Sequence, residues 1–224
     1  MRGCRIPCEY VVVTGQGQSS ANTGADHFET SAYDIALLDA GIENFNVMMY
    51  TSVLPPESRE ITMEEAQARG LLHHGAVLET IKAEMDGEQG EFLCTGVGRI
   101  WVYRRGEDGS RILIGGFAAE YEGNSSEEKA AKVLLEDLQG IVARRYGHES
   151  DIVVGTPAID TCSMIVDEDY GVCFTALCFL TYDLPHVLKV PDARGRLHDR
   201  QPECVRPGTH SSGRARDAED RSAP

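Results

Sequence analysis

The chain has 224 residues, of which 36 are acidic and 21 are basic, so its formal net charge at pH 7 is −15. This balance argues against nucleic acid or an anionic membrane surface as the partner, because both are bound through lysine and arginine. Hydrophobic residues make up 42% of the chain, which is ordinary for a globular protein. No run reaches the roughly 18 apolar residues that a membrane span needs.

The first third of the chain alternates strand and helix signals. The first predicted strand, Tyr10–Thr14, is rich in β-branched residues and ends at the glycine-rich loop GQGQSSANTG. A helix capped by Thr30 or Ser31 follows and ends at Gly41. The segment Asn44–Leu54 is then predicted as one strand, which two prolines terminate.

Capping boxes and turn residues punctuate the remainder. Thr62 with Glu65 and Ser125 with Glu128 are capping boxes that open two further helices, which end at glycines near positions 70 and 147. The other predicted strands are Val77–Met85, Glu91–Arg105, Arg111–Glu122, Ala158–Val166 and Val172–Tyr182. The last two are expected to form a hairpin that turns through Asp167–Gly171. So many adjacent hairpins disfavour a doubly wound parallel sheet and favour an α+β layered sandwich.

The composition changes near residue 190. The segment 191–224 holds seven arginines, six acidic residues and four prolines but almost no aliphatic side chains. Such a segment cannot bury enough apolar surface to offset the entropy of ordering it. We therefore predict a folded domain over residues 1–190 and a disordered tail over residues 191–224. The seven cysteines form no CxxC pair, which favours reduced thiols and a cytoplasmic protein.

The familiar catalytic and metal-binding signatures are missing from the sequence. It has no phosphate-binding GxxxxGK[ST], no HExxH and no GxSxG. Gly15-Gln16-Gly17 lacks the third glycine of a dinucleotide-binding loop, because Ser20 stands at that position. The adjacent His73 and His74 are better explained as structural or surface residues than as ligands, so no metal site is expected.

The segment 41–56, GIENFNVMMYTSVLPP, is unusual because a buried-strand pattern contains several polar residues and then stops at two prolines. Propensity alone would make it a strand with a polar end. Together with SAYDIALLDAGI before it and GGFAAEYEG after it, however, the segment resembles the self-cleavage region of pyruvoyl-dependent arginine decarboxylases. The resemblance spans most of residues 9–182. It implies a self-cleaved α/β/β/α sandwich with largely antiparallel sheets.

The resemblance also implies roles for individual residues. Ser52 attacks the carbonyl carbon of Thr51, the chain is cut between the two, and Ser52 becomes a pyruvoyl group. This covalent group forms a Schiff base with the substrate, takes the place of pyridoxal phosphate, and requires no metal. Asn46 assists the cleavage, Glu120 donates a proton after decarboxylation, and Asp34 binds the substrate. Without the resemblance, Glu120 and Asp34 are explained more simply as solvated surface acids.

The family also implies an assembly and a substrate. The assembly is a trimer of cleaved chain pairs with sites between subunits, so that Glu120 approaches Ser52 from a neighbouring subunit. The partner is a small-molecule substrate, an amino acid, with L-arginine expected to yield agmatine and carbon dioxide. Other family members carry serine where this chain has Thr51. Threonine keeps the same peptide carbonyl, so we expect cleavage, with a slower acyl shift.

Two alternatives remain, the first of which is motivated by that departure and by the tail. The chain could be an unprocessed homologue that acts as a binding or regulatory protein. It could also perform the same chemistry on another amino acid, such as histidine, aspartate or lysine.

Overall fold

The computed structural model describes residues 5–20 and 28–184. The predicted tail, 191–224, and the predicted domain boundary at residue 190 lie outside these described residues. The helices are α1 (Phe28–Asp39), α2 (Met63–Ala68) and α3 (Glu127–Tyr146). The strands are β1 (Ile6–Pro7), β2 (Glu9–Ser19), β3 (Asn46–Met49), β4 (Val53–Leu54), β5 (Arg59–Glu60), β6 (Val77–Glu88), β7 (Phe92–Arg105), β8 (Arg111–Gly123), β9 (Ile152–Val154), β10 (Ala158–Ile165), β11 (Tyr170–Phe179) and β12 (Tyr182–Asp183).

Ten of the described strands, β2 to β11, form two five-stranded sheets. The first sheet has the order β3-β6-β11-β2-β5, and the second has the order β10-β7-β8-β4 with β9 paired to β7. All pairings are antiparallel except β3 with β6 and β2 with β5. Strands β1 and β12 form a separate antiparallel pair. The expected α+β class with largely antiparallel sheets is confirmed.

Among the described residues, the buried apolar side chains form four clusters, three of which define the layers. Ala32 and Ala36 of α1 pack with Val11 and Phe174 on the outer face of the first sheet. A second core lies between the sheets and contains Tyr10, Leu54, Ile81, Ala83, Val97, Ala118, Leu177 and Phe179. A third core packs α3 on the second sheet. The layers therefore follow the order α/β/β/α, as the resemblance implied.

Strand β2 extends to Ser19 and is longer than the sequence predicts, because its glycines are typical of a loop. Both Gly15 and Gly17 lie within the strand, where α1 approaches closely. A Cβ at Gly15 would lie 2.1 Å from the carbonyl oxygen of Ala36, and one at Gly17 would lie 2.0 Å from that of Ala32. The glycines thus serve helix-on-sheet packing rather than a turn.

Two of the predicted helix starts differ from the structure. Helix α1 begins at Phe28, ahead of the predicted caps Thr30 and Ser31, and Ser126 rather than Ser125 occupies the N-cap position of α3. The predicted cap of α2 is confirmed, because Thr62 Oγ1 accepts a hydrogen bond from the Glu65 N–H at 3.1 Å. Within residues 5–20 and 28–184, no helix is long and apolar enough to cross a membrane.

The predicted final hairpin is wrong. Strand β10 pairs with β7 in the second sheet, whereas β11 pairs with β2 and β6 in the first. The connection between β10 and β11 therefore crosses from one sheet to the other, as does the connection between β6 and β7. Apolar alternation does not reveal which of two stacked sheets a strand joins.

A third crossing breaks the strand predicted over Asn44–Leu54. Strand β3 lies at one edge of the first sheet and β4 at one edge of the second. Tyr50 N–H still donates to the Thr80 carbonyl of the first sheet at 2.7 Å, but the Ser52 carbonyl accepts from Ala118 N–H of the second sheet at 3.0 Å. The chain thus changes sheets across Tyr50–Ser52, and Thr51 in the middle of this crossing segment is exposed.

Candidate active site

The Thr51–Ser52 peptide bond lies within the segment that crosses between the sheets. Thr51 is exposed and Ser52 is half-buried. The carbonyl oxygen of Thr51 accepts a hydrogen bond from the Val53 N–H at 3.1 Å. A peptide bond in such a connection is accessible, and it is not locked in the middle of a sheet.

Glu120 is the acidic side chain that contacts Ser52. Ser52 Oγ donates towards the Glu120 carboxyl group and lies 3.4 Å from each of its oxygens. In β8, Ala118 packs into the core between the sheets and Ala119 into the core beneath α3, so alternation along the strand turns Glu120 towards the space between the sheets. The resemblance implied an approach from a neighbouring subunit, but this contact forms within one chain.

The environment of Glu120 favours the protonated acid. Burial raises the pKa of the Glu120 carboxyl, and the negative charge of Glu122 raises it further. The hydrogen bond from Ser52 acts in the opposite direction and lowers this pKa in part. The net shift is upward, as a carboxyl group that donates a proton near neutral pH requires.

Asn46 lies away from Ser52 in the same chain. It begins β3, pairs with Val77, and its side-chain Nδ2 donates to the Gly75 carbonyl at 2.9 Å. Asn46 and Thr51 are five positions apart along the extended chain, a distance on the order of 15 Å. Within one chain, the Asn46 amide therefore does not reach the Thr51 carbonyl.

Asp34 also lies apart from the other predicted site residues. It is an exposed residue of α1, in the helical layer on the outer face of the first sheet, whereas Ser52 and Glu120 meet on the opposite face. The structure thus unites Ser52, Thr51 and Glu120 but not Asn46 or Asp34. Across residues 5–20 and 28–184, no group of three or more histidine, cysteine or acidic side chains could hold a metal ion.

A charged cluster that the sequence did not reveal lies next to the crossing segment. The Arg5 guanidinium forms an ion pair with Glu79 Oε1, lies 3.4 Å from the Tyr50 hydroxyl, and stacks on the Tyr182 ring with Cζ 4.5 Å from its centroid. The Glu79 side chain is 9% exposed, and among the described residues its Oε2 has no hydrogen-bond partner. Long sequence separations concealed this cluster, and no local motif would have revealed it.

Several large apolar side chains near the crossing segment are exposed. Met48, Met49, Val53 and Val77 are each between 51% and 68% exposed. They belong to β3, β4 and the start of β6, which lie around the crossing segment. A concentration of large exposed apolar groups at two sheet edges is typical of a surface that another protein chain covers.

Comparison with known proteins identifies this architecture. The family described as pyruvoyl-dependent arginine decarboxylase matches residues 9–184. The chain is 35% identical over 193 residues to the pyruvoyl-dependent arginine decarboxylase AaxB of Chlamydia muridarum, covering 81% of this chain and 94% of the relative. It is 34% identical over 202 residues to AaxB of Chlamydia pneumoniae, covering 84% and 98%.

A more distant relative is the pyruvoyl-dependent arginine decarboxylase of Methanopyrus kandleri, which is 28% identical over 95 residues, or 42% of this chain and 55% of the relative. The fold, together with these matches, thus defines a pyruvoyl-type enzyme. The chain belongs to the pyruvoyl-dependent arginine decarboxylase family, and the resemblance found in the sequence is confirmed.

Proposed function

We propose that this chain cleaves its own Thr51–Ser52 bond and then decarboxylates L-arginine to agmatine and carbon dioxide. The contact between Ser52 Oγ and both Glu120 oxygens at 3.4 Å is the observation that carries this proposal. It joins the residue that is to become the reactive group with a half-buried acid whose pKa is raised. Family membership supplies the reaction class.

The cleavage begins with a shift of the Thr51 acyl group from the Ser52 nitrogen to Ser52 Oγ. Its Oγ forms a bond to the Thr51 carbonyl carbon, the C–N bond breaks, and the hydroxyl proton is transferred to the freed nitrogen. Loss of the Ser52 Cα proton and rupture of the Cβ–O bond then release Thr51 as a carboxylate. Water replaces the nitrogen of the resulting dehydroalanine, and ammonia leaves. The products are residues 1–51 and a pyruvoyl-capped chain that starts at position 52.

The residues around Ser52 fit such a group. When present, the pyruvoyl group supplies an acceptor for the electron pair that is released as carbon dioxide leaves. Glu120 holds a proton beside the same position and donates it to the substrate Cα, which the raised pKa of this carboxyl favours. Neither added pyridoxal phosphate nor a metal ion is required.

The assembly we propose is a homo-oligomer, with a trimer of cleaved chain pairs as the expected form. Covering Met48, Met49, Val53 and Val77 with a second copy would remove apolar surface from water at the active-site edge. In the same assembly, Asn46 and Asp34 serve the site of a neighbouring copy, because neither reaches Ser52 in its own chain. The molar mass measured by light scattering tests this assembly. The mass of a monomer, at the protein concentration of the activity assay, contradicts it.

Arginine is the substrate that we propose for this site. A guanidinium ion is held best by a carboxylate that accepts two parallel hydrogen bonds, and Asp34 is the exposed carboxylate that the family resemblance assigns to this role. A carbon dioxide release assay with arginine, lysine, ornithine, histidine and aspartate tests the choice. Release from another amino acid in preference to arginine contradicts it.

We also propose a cytoplasmic location. Five cysteines in the described part of the chain, at positions 8, 94, 162, 173 and 178, are free thiols, as a reducing compartment favours. Fractionation of cells that produce the protein tests this location, and its recovery from an oxidising compartment contradicts it.

Intact mass spectrometry under denaturing conditions tests the first step. We expect two species, residues 1–51 and a pyruvoyl-capped chain, and only the full chain from Ser52→Ala. Ser58→Ala is a matched control, because Ser58 Oγ donates to the Pro7 carbonyl at 3.1 Å, away from the crossing segment. A wild-type chain that stays intact contradicts the proposal and favours an unprocessed homologue.

A further inference from the structure

The carbonyl group that self-cleavage attacks already has a hydrogen-bond donor. Val53 N–H donates to the Thr51 carbonyl oxygen at 3.1 Å and closes a three-residue turn centred on Ser52. The donor and the acceptor therefore lie on either side of the reacting serine. When Ser52 Oγ adds to the carbonyl carbon, this carbonyl oxygen is the atom on which negative charge develops.

We propose that the Val53 backbone N–H is a catalytic oxyanion donor for the acyl shift at Thr51–Ser52. This inference rests on the proposed self-cleavage. As the Ser52 Oγ–carbon bond forms, the carbonyl π electrons move onto the Thr51 oxygen, and they return as the C–N bond breaks and the hydroxyl proton passes to the Ser52 nitrogen. A donor already in place binds the charged oxygen more strongly than the neutral one, which lowers the barrier.

The Val53 N–H is available because sheet pairing does not use it. In the antiparallel pair of β4 with β8, Val53 lies opposite Phe117 and Leu54 opposite Gly116, while the Ser52 carbonyl accepts from Ala118 N–H at 3.0 Å. Alternate residues of such a pair direct their backbone groups to the partner strand. The Val53 N–H therefore points away from β8, and it donates to the Thr51 carbonyl oxygen instead.

The Val53 donor acts independently of the role that the family resemblance gives to Asn46. The Asn46 amide donates to Gly75 at the far end of β3, so in its own chain it does not polarise the Thr51 carbonyl. The backbone donor, in contrast, belongs to the same short turn as the reacting bond and forms as soon as that turn folds.

Exchange of the Val53 amide for an ester tests this role without altering a side chain. α-Hydroxyisovaleric acid incorporated at position 53 keeps the valine side chain but replaces N–H with oxygen. The matched control is the hydroxy-acid analogue of tyrosine at position 50, whose N–H donates to the Thr80 carbonyl at 2.7 Å and not to the reacting bond. Mass spectrometry over time then gives the rate of cutting between residues 51 and 52.

We expect the ester at position 53 to slow cleavage by about 100-fold or more, the usual effect of removing one oxyanion donor, and the ester at position 50 to cleave at close to the wild-type rate. Val53→Pro also lacks the N–H and occupies an edge position that tolerates proline. It should therefore cleave more slowly than Val53→Ala, which keeps the N–H.

Equal cleavage rates for the position-53 ester and the wild-type chain overturn the inference. Equal slowing by both esters also overturns it, because the effect then reflects a general loss of structure. These outcomes differ from failure of the proposed function, in which the wild-type chain itself stays intact.

Discussion

Replacement of Glu120 by glutamine removes the acidic proton beside Ser52 but keeps an oxygen acceptor of nearly the same shape. A positioned general acid contributes about 100-fold to 10,000-fold to a reaction rate, so we expect decarboxylation per pyruvoyl-bearing chain to fall within that range. Glu122→Gln is the matched control, because Glu122 is exposed, lies two residues further along β8, and can still accept the Glu84 N–H as glutamine.

The same substitution has a second effect, on stability. Burial raises the pKa of Glu120, so the folded chain keeps this proton to higher pH than the unfolded chain does. At pH values where both states are protonated, the group contributes nothing to the pH dependence. As the pH rises through the raised pKa, the wild-type folded chain bears the cost of a buried charge and loses stability. Glutamine does not ionise, so the variant lacks this loss.

Two assays check these expectations. Release of carbon dioxide from arginine, normalised to pyruvoyl content by mass spectrometry, measures the first, and the alkaline limb of its pH profile should follow the raised pKa of Glu120. Thermal melting against pH measures the second, with both chains carrying Ser52→Ala so that they remain uncut. Full activity in Glu120→Gln, or identical pH dependence of the two melting curves, would show that Glu120 is not the buried proton donor.

Two further substitutions test the packing. A Cβ on Gly17 would lie 2.0 Å from the Ala32 carbonyl oxygen, so Gly17→Ala should lower the free energy of unfolding in urea by about 1–3 kcal/mol. The control, Gly140→Ala inside α3, should raise this free energy by about 0.5–1 kcal/mol. Similar values for both variants would contradict the close approach of α1. Arg5→Ala should cost about 1–3 kcal/mol, below the range for fully buried pairs because Arg5 is 48% exposed. In a double-mutant cycle with Glu79→Gln, additive losses would show that the two side chains do not interact.

Local signals in the sequence predicted those elements whose formation depends on neighbouring residues. The cap formed by Thr62 and Glu65 is an example, because donor and acceptor lie three positions apart. The glycines at positions 15 and 17 show where such signals fail. They suggested a loop, but they are required by helix α1, which begins eleven residues after Gly17 and packs across the strand.

The site shows the same division. The family could be recognised from the residues around Thr51–Ser52 alone, and a motif match pointed to Glu120. The contact of Ser52 with Glu120 within one chain, the crossing of the segment between two sheets, and the separate positions of Asn46 and Asp34 became visible in the three-dimensional arrangement. The reason is physical: alternation of apolar residues determines which side of a strand is buried, but not which of two stacked sheets the strand joins. That choice depends on packing between residues far apart in the chain, and it places Ser52 beside Glu120.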